Sequence, residues 1–406
     1  MTPKAVHALT REAELLTLCA RMSVSDQQQA AIRTLAATSM DWERVVELAK
    51  WHGIVPLVYR HLSRHCVDLV PSDVLQGLRQ HSQASRLLSC SLTRDLVEIV
   101  HACEQAGVTL VPFKGLPLAQ TAYGQIDARE SGDLDFMVLR HDLSRAAVVL
   151  KKLGYVDAVS PSAKETDACE AYNLFTKRSR AATVDLQWVM ADGTFSFSLN
   201  DSRFWIRLTT IQMQGVPIKV LSPEDSLLIL CVHGGKHVFE QLKWVCDIAE
   251  QVRSHPAIDW TYFEDTARSM GCWRLALAGL GLAQALLQAP LPKGIQEAID
   301  ADRAIGDLIR RIPQSLLLNP SYGLSDADAE AFLFATKDDL LGKCTQGLTL
   351  IANRHEVLSR NHSYIVGWNA LQRCYASLAV PRRLLRCLLP SDASRQRVFR
   401  WLTPAA

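Results

Sequence analysis

The sequence has little excess charge of either sign and no apolar run of membrane-spanning length. Its 44 Lys and Arg residues nearly balance 42 Asp and Glu residues, so the formal charge over 406 residues is +2. A chain-wide basic surface for nucleic acid is therefore excluded, although a local phosphate site is not. No run of about 18 apolar residues occurs, so we expect no membrane span and no membrane partner.

Cysteine pairs of regular spacing are also missing. The 11 cysteines are scattered from Cys19 to Cys387 without a C-x-x-C motif, which does not predict a disulfide framework. The first residues carry no apolar signal region. With 48% hydrophobic and 21% charged residues, the composition excludes disordered and fibrous classes. We expect a reduced, cytoplasmic protein.

Length and pattern divide the chain into three regions. At roughly 150 residues per domain, two or three domains are expected. Helical periodicity prevails over 1–105, strand-like runs are confined to 106–220, and helical patterns resume over 221–406. We therefore predict an α+β fold, in which a segment of strands and short helices lies between an N-terminal helical region and a C-terminal helical domain.

The motif with the clearest chemistry is Gly132-Asp-Leu-Asp, which opens an apolar run. On a strand, Asp133 and Asp135 share one face while Leu134 points to the other. Adjacent carboxylates are typical of a magnesium site that also accepts phosphate oxygens. Asp185 begins another strand-like run, and three carboxylates on neighbouring strands can hold two metals about 4 Å apart. A lone D-x-D also arises by chance, and Asp185 has the alternatives of a cap or an ion pair.

Two cationic positions precede this motif. Lys114-Gly115 follows a strand-like run and precedes a short helix, where glycine lets the backbone approach a phosphate and lysine supplies a charge. Arg129 lies four residues before Asp133 and is a second candidate phosphate ligand. An ordinary turn and a surface arginine are the alternatives.

A further set of polar residues recurs at helical spacing after residue 230. If one helix spans them, these residues lie on one face: His233, Lys236, Glu240, Lys243 and Asp247. Either the face is solvated, with charge pairs such as Lys243 with Asp247, or it lines a cleft in which Lys236 or Lys243 meets phosphate. Gly234 and Gly235 favour close approach of another group, because two glycines within a helix are costly.

Several of these runs resemble one known family. The runs are Phe113-Lys-Gly-Leu-Pro, Arg129-Glu-Ser-Gly-Asp-Leu-Asp-Phe and Leu150-Lys-Lys-Leu-Gly-Tyr, together with Leu48-Ala-Lys-Trp-His-Gly-Ile-Val-Pro and Leu242-Lys-Trp-Val-Cys-Asp. They resemble the uncharacterised nucleotidyltransferases of the polymerase-beta superfamily, a group often encountered beside polysaccharide and lasso-peptide biosynthesis genes. The likeness covers roughly residues 40 to 250.

This resemblance implies a polymerase-beta-like core, a mixed sheet with flanking helices, in which two Mg²⁺ ions (Mn²⁺ being an alternative) are held against an NTP. Asp133, Asp135 and Asp185 are then the metal ligands. Two departures stand out. The usual Gly-Ser motif is replaced by Lys114-Gly115 at longer range, and Gln187 stands where members usually carry His. Glutamine can donate a hydrogen bond but takes no proton at neutral pH, which predicts reduced activity if that His is a base.

The leading hypothesis is a magnesium-dependent nucleotidyltransferase that moves an NMP from an NTP, ATP by default, to an acceptor and releases pyrophosphate. A small molecule, peptide or sugar, in natural-product or polysaccharide biosynthesis, is favoured over nucleic acid as acceptor because of the +2 charge, despite a basic run from Pro381 to Arg386. His233 and Gln187 are weaker candidates for the acceptor cleft. The alternative is a non-catalytic nucleotide- or partner-binding protein on a degenerate fold of this kind.

Overall fold

The computed structural model describes residues 9–158, 172–177, 180–192, 195–318 and 326–338. Residues 339–406, including the basic run after Pro381, lie outside the described residues. The chain begins with helices α1 to α5, which are Arg11–Cys19, Asp26–Ala36, Trp42–Trp51, Val55–His65 and Ser72–Gln105. The last of these is continuous over 34 residues.

The strands follow, as predicted, between residues 106 and 220. A five-stranded sheet has the order β1-β2-β5-β4-β3, with β2 parallel to β5 and the other neighbours antiparallel, so the sheet is mixed. Its strands are Val111–Pro112, Asp133–Met137, Val156–Asp157, Tyr172–Lys177 and Arg180–Gln187. Two hairpins follow, β6–β7 (Val189–Asp192, Phe195–Ser198) and β8–β9 (Thr209–Met213, Val216–Val220).

Helices lie between the strands and after them. Within the strand region these are α6, α7 and α8, at Gly115–Thr121, Leu143–Lys152 and Ser202–Ile206. After it come α9 to α15, at Pro223–Lys236, Leu242–Ser254, Trp260–Ser269, Trp273–Leu287, Lys293–Ala301, Arg303–Leu318 and Asp326–Ala335. No helix in the described ranges is long and apolar enough to cross a membrane.

Two hydrophobic cores hold these elements together. In one, α5 and α7 cover one face of the sheet, where Leu134, Phe136 and Leu186 are buried. In the other, α1 to α4 pack with α9, α10 and α12, and Met137 from the sheet joins them. Helices that precede the strand region and helices that follow it therefore share one core. The predicted boundaries at 105 and 220 stay a prediction, since the cores do not follow them.

The polar residues from His233 to Asp247 do not lie on one helix, so the prediction that a single helix spans them is wrong. Helix α9 ends at Lys236 and α10 begins at Leu242. Between them Val238 and Phe239 have φ of 53° and 52°, and the Phe239 N–H donates to the Gly234 carbonyl at 2.7 Å. A Cβ on Gly234 would lie 2.3 Å from the Phe239 ring. The group that approaches this glycine closely is thus a core phenylalanine, which ends the helix.

Candidate active site

The parallel pair β2 and β5 brings the predicted carboxylates together. Asp135 is directly opposite Asp185 in the register, and Asp133 is opposite Thr183. The alternating residues Leu134 and Phe136 are buried on the other face. The predicted adjacency of the two strands is confirmed. Asp133 is exposed at the strand start, whereas the Asp135 side chain keeps only 10% of its exposure.

Lys114 forms a buried ion pair with one of these carboxylates. Its Nζ lies 3.0 Å from Asp135 Oδ1, with 7% of the lysine side chain exposed, and it donates to His233 Nδ1 at 3.4 Å. Burial and the Lys114 charge lower the pKa of His233 well below its usual value, so the ring is neutral and can accept this bond. The predicted lysine therefore lies beside the metal-ligand candidates.

The backbone at Lys114 is unusual. Its φ of 59° and ψ of −154° belong to a region that is almost confined to glycine and costs about 1–3 kcal/mol. Gly115 follows with φ of 44°, and a Cβ there would lie 3.7 Å from Ser131 Oγ. This turn places the lysine side chain against β2, and the ion pair with Asp135 helps to retain it.

Gln187 lies between the two inner carboxylates. Its Nε2 donates to Asp185 Oδ2 at 2.6 Å and to Asp135 Oδ1 at 3.1 Å. Burial and the Asp135 charge raise the pKa of Asp185 to about 7. Burial also raises the pKa of Asp135, against the opposing charge of Lys114. The amide thus separates two carboxylates that repel each other.

Arg129 is engaged in a buried pair. Its Nε and Nη2 donate to the two carboxylate oxygens of Asp247 at 2.7 and 2.8 Å, and Nη1 donates to Ser131 Oγ at 3.3 Å. The hydroxyl of Tyr123 donates to the same Asp247 at 2.7 Å. Although burial opposes the charge of Arg129, Asp247 outweighs it and raises the arginine pKa. In this arrangement Arg129 fixes the segment before β2, and its predicted role with phosphate stays a prediction.

The two remaining predicted lysines lie around the same region. Lys236 ends α9 and Lys243 lies in the first turn of α10, both half-buried. Burial and then the Arg129 charge lower the pKa of Lys243, although the carboxylates of Asp247 and Asp133 favour its charged form. His233 packs edge-to-face on Trp244 at 5.7 Å, and His237 stacks on the same indole at 4.9 Å. The histidine pair is therefore an aromatic packing cluster.

The predicted metal ligands Asp133, Asp135 and Asp185 supply only oxygen donors. Within the described ranges, as the side chains lie, no group of three or more His, Cys, Asp or Glu is arranged to hold a metal ion. However, Asp185 Oδ1 is a buried oxygen without a hydrogen-bond partner. Such an acceptor calls for a counterpart. All-oxygen donors are those that Mg²⁺ prefers, and Lys114 supplies a positive charge at one of them.

Sequence reasoning missed Tyr123 and His52 as parts of this region, and it named Asp247 without its partner Arg129. The His52 Nδ1 accepts the Leu242 N–H at 3.3 Å and its carbonyl accepts the Lys243 N–H at 3.2 Å, so it caps α10. One signal was available for Asp247, which lies one turn after Lys243 among the apolar residues of α10. A carboxylate that is 1% exposed needs a cationic partner.

Comparison with known proteins gives one family. The profile of a family described as uncharacterised nucleotidyltransferase matches residues 38–288, which is more than half of the chain. No curated protein matches the sequence. The solution structure of the antibiotic-resistance factor ANT(2'')-Ia is similar at 13% identity and a TM-score of 0.28, covering 52% of this chain and 95% of that one. This similarity is too low to indicate a shared fold.

Proposed function

Because the chain belongs to the uncharacterised nucleotidyltransferase family, we propose that it moves an NMP from an NTP to an acceptor in a magnesium-dependent reaction. The predicted family and the predicted enzyme class, a nucleotidyltransferase, are confirmed by the match over residues 38–288. The observation that supports the magnesium site is the pairing of Asp135 with Asp185 on adjacent parallel strands, with Asp133 on the same face. We assign the sheet around them to a polymerase-beta-like core.

The three aspartates would hold the metal. When bound there, Mg²⁺ neutralises triphosphate charge and aligns the α-phosphorus for in-line attack. The acceptor nucleophile forms a bond to that phosphorus while the bond to pyrophosphate breaks. As the third carboxylate of the set, Asp185 is the candidate to take the acceptor proton, because the third carboxylate in such sites faces the incoming nucleophile.

Lys114 and Gln187 orient the carboxylates that we propose to hold the metal. Each donates to Asp135, and Gln187 also donates to Asp185, so the acidic side chains are oriented before substrate arrives. Preorganised groups of this kind lower the cost of reaching the transition state. ATP is the first nucleotide to test, and a small molecule, peptide or sugar is the acceptor class we propose, because the net charge of +2 gives no general attraction for nucleic acid.

The test is transfer of label from a panel of α-labelled NTPs in magnesium, with product masses searched for a gain of one nucleotide. We expect activity in the wild-type protein and its loss in Asp133→Ala. Glu98→Ala is the matched control, since Glu98 is an exposed carboxylate on α5. Transfer that survives Asp133→Ala would overturn the metal-ligand assignment. Stabilisation by NTP that does not depend on magnesium would overturn the metal requirement.

A further inference from the structure

The turn at His52 and Gly53, between α3 and α4, contacts the start of α10 some 190 residues later. His52 accepts the first two N–H groups of that helix, from Leu242 and Lys243. These groups have no partner within a helix, so an outside acceptor fixes its end. The N-terminal helices thereby set the position of α10.

Gly53 also shapes the path of the Lys243 side chain. Its φ is +61°, and a Cβ at this position would lie 2.8 Å from Lys243 Cδ. Only glycine combines this left-handed backbone with room for the lysine stem. The methylene groups of Lys243 therefore run across the surface of the turn.

A second contact, at Asp247 one helical turn after Lys243, also fixes the position of α10. Asp247 follows Lys243 by four residues, so the two side chains project from the same face. Asp247 holds Arg129 through two hydrogen bonds, and Arg129 reaches Ser131, two residues before Asp133. The lysine is thus directed to the side of the helix that faces the carboxylates.

The Lys243 ammonium forms no hydrogen bond or ion pair with any residue in the described ranges, although the side chain is half-buried. Its Nζ lies over the Trp244 ring, 5.8 Å from the ring centroid. In contrast, Lys114 and Arg129 are each paired with an aspartate. A partly desolvated ammonium without a carboxylate can engage an anionic ligand.

We propose that Lys243 binds the triphosphate of the NTP and that Gly53 is a positioning residue that holds it there. This inference rests on the proposed function, because it names a contact for the substrate of that same site. The ammonium is a point charge suited to the mobile β- and γ-phosphates. The residue pair links the N-terminal helices directly to nucleotide binding.

The test compares the binding of each NTP with that of its own monophosphate (ATP with AMP, and so on through the four bases) in magnesium by titration calorimetry. In Lys243→Met we expect NTP affinity to fall about 10- to 100-fold, as for loss of one hydrogen bond to a charged group, with monophosphate affinity unchanged. Lys243→Arg keeps the charge and should retain most of the affinity. If Lys243→Met binds NTP as tightly as the wild-type protein, or loses equal affinity for NTP and for monophosphate, the inference is overturned.

Gly53→Ala tests the positioning role. Its control is Gly271→Ala, because Gly271 has a φ of +66° and no atom within 4 Å of a built Cβ. Both variants carry the same backbone strain, but only Gly53→Ala should weaken NTP binding. In a Lys243→Ala background Gly53→Ala should cause no further loss, since only the lysine Cβ, 3.8 Å away, remains. Additive losses would refute positioning.

Failure of the proposed function gives a different pattern. If the wild-type protein neither binds nor transfers any of the four NTPs in magnesium, the proposed function falls and this inference with it. If the wild-type protein binds and transfers while Lys243→Met does so equally well, only the inference falls. Lys243→Met and Lys243→Arg also keep the test decisive if Gly53→Ala does not fold.

Discussion

The substitution Asp247→Asn measures how much the buried ion pair of Asp247 with Arg129 contributes to the free energy of unfolding. This pair joins α10 to the segment before β2. Asp247 is 1% exposed and accepts three hydrogen bonds, from Arg129 Nε, Arg129 Nη2 and the Tyr123 hydroxyl, at 2.7, 2.8 and 2.7 Å. Asparagine offers a single acceptor oxygen, so its amide nitrogen must face a donor. Arg129, 8% exposed, is then left with an uncompensated charge. Breaking such a pair costs about 3–5 kcal/mol.

Urea denaturation followed by tryptophan fluorescence measures this loss. The matched control is Asp68→Asn, which breaks another two-point pair, Arg33 to Asp68 at 2.9 and 2.8 Å. That pair is 42% and 61% exposed, so solvent screens it and we expect little change. If both variants lose the same free energy of unfolding, burial does not govern the strength of the Asp247 pair, and the reasoning is refuted.

Three further predictions concern the surroundings of the site. Burial lowers the pKa of His52 to about 4, so protonation of this side chain favours the unfolded chain. The free energy of unfolding should therefore fall by about 3 kcal/mol as the pH drops from roughly 6.5 to 4. In His52→Asn the urea midpoint should depend less on pH than in the wild-type protein. Gly234→Ala forces a Cβ against Phe239 and should cost about 1–3 kcal/mol, whereas Gly77→Ala, with nothing within 4 Å, should raise Tm slightly. Gln187→Glu puts a third carboxylate beside Asp135 and Asp185, so magnesium should raise its Tm more than that of the wild-type protein, and equal rises would count against a metal at this position.

Local patterns predicted much of the fold because their causes are local. Alternation around Leu134 gave β2 and the shared face of its aspartates. Ser222 and Asp225 have the spacing of a helix-capping pair, and the Ser222 hydroxyl accepts the Asp225 N–H at the start of α9. The β8–β9 hairpin turns at Gly215, where φ is +79°. Each of these features depends on residues within a few positions, so the sequence alone was sufficient.

The break after Lys236 could not be predicted in the same way. Helical spacing continues through residues 237–241, but the chain turns back after Lys236 so that the ring of Phe239 fills the space over Gly234, a packing contact that residue spacing does not reveal. The partner of Arg129 was hidden for a similar reason, since Asp247 is 118 residues away. Contacts at that separation depend on how helices pack, and no local pattern specifies them.

Because the net charge is near zero, the attraction for phosphate must come from local cations. The four predicted cations, which are Lys114, Arg129, Lys236 and Lys243, differ in what already neutralises their charge. Lys114 is paired with Asp135 and Arg129 with Asp247, so an anion would have to displace a carboxylate at 3.0 or 2.7 Å to engage either one. Lys236 lies in the last turn of α9, where the negative helix end offsets its charge. Lys243 lies in the first turn of α10, where the helix end has the same sign and repels it. Of the four, Lys243 therefore gains most from an added phosphate, which is why we expect its removal, more than that of Lys236, to weaken NTP binding.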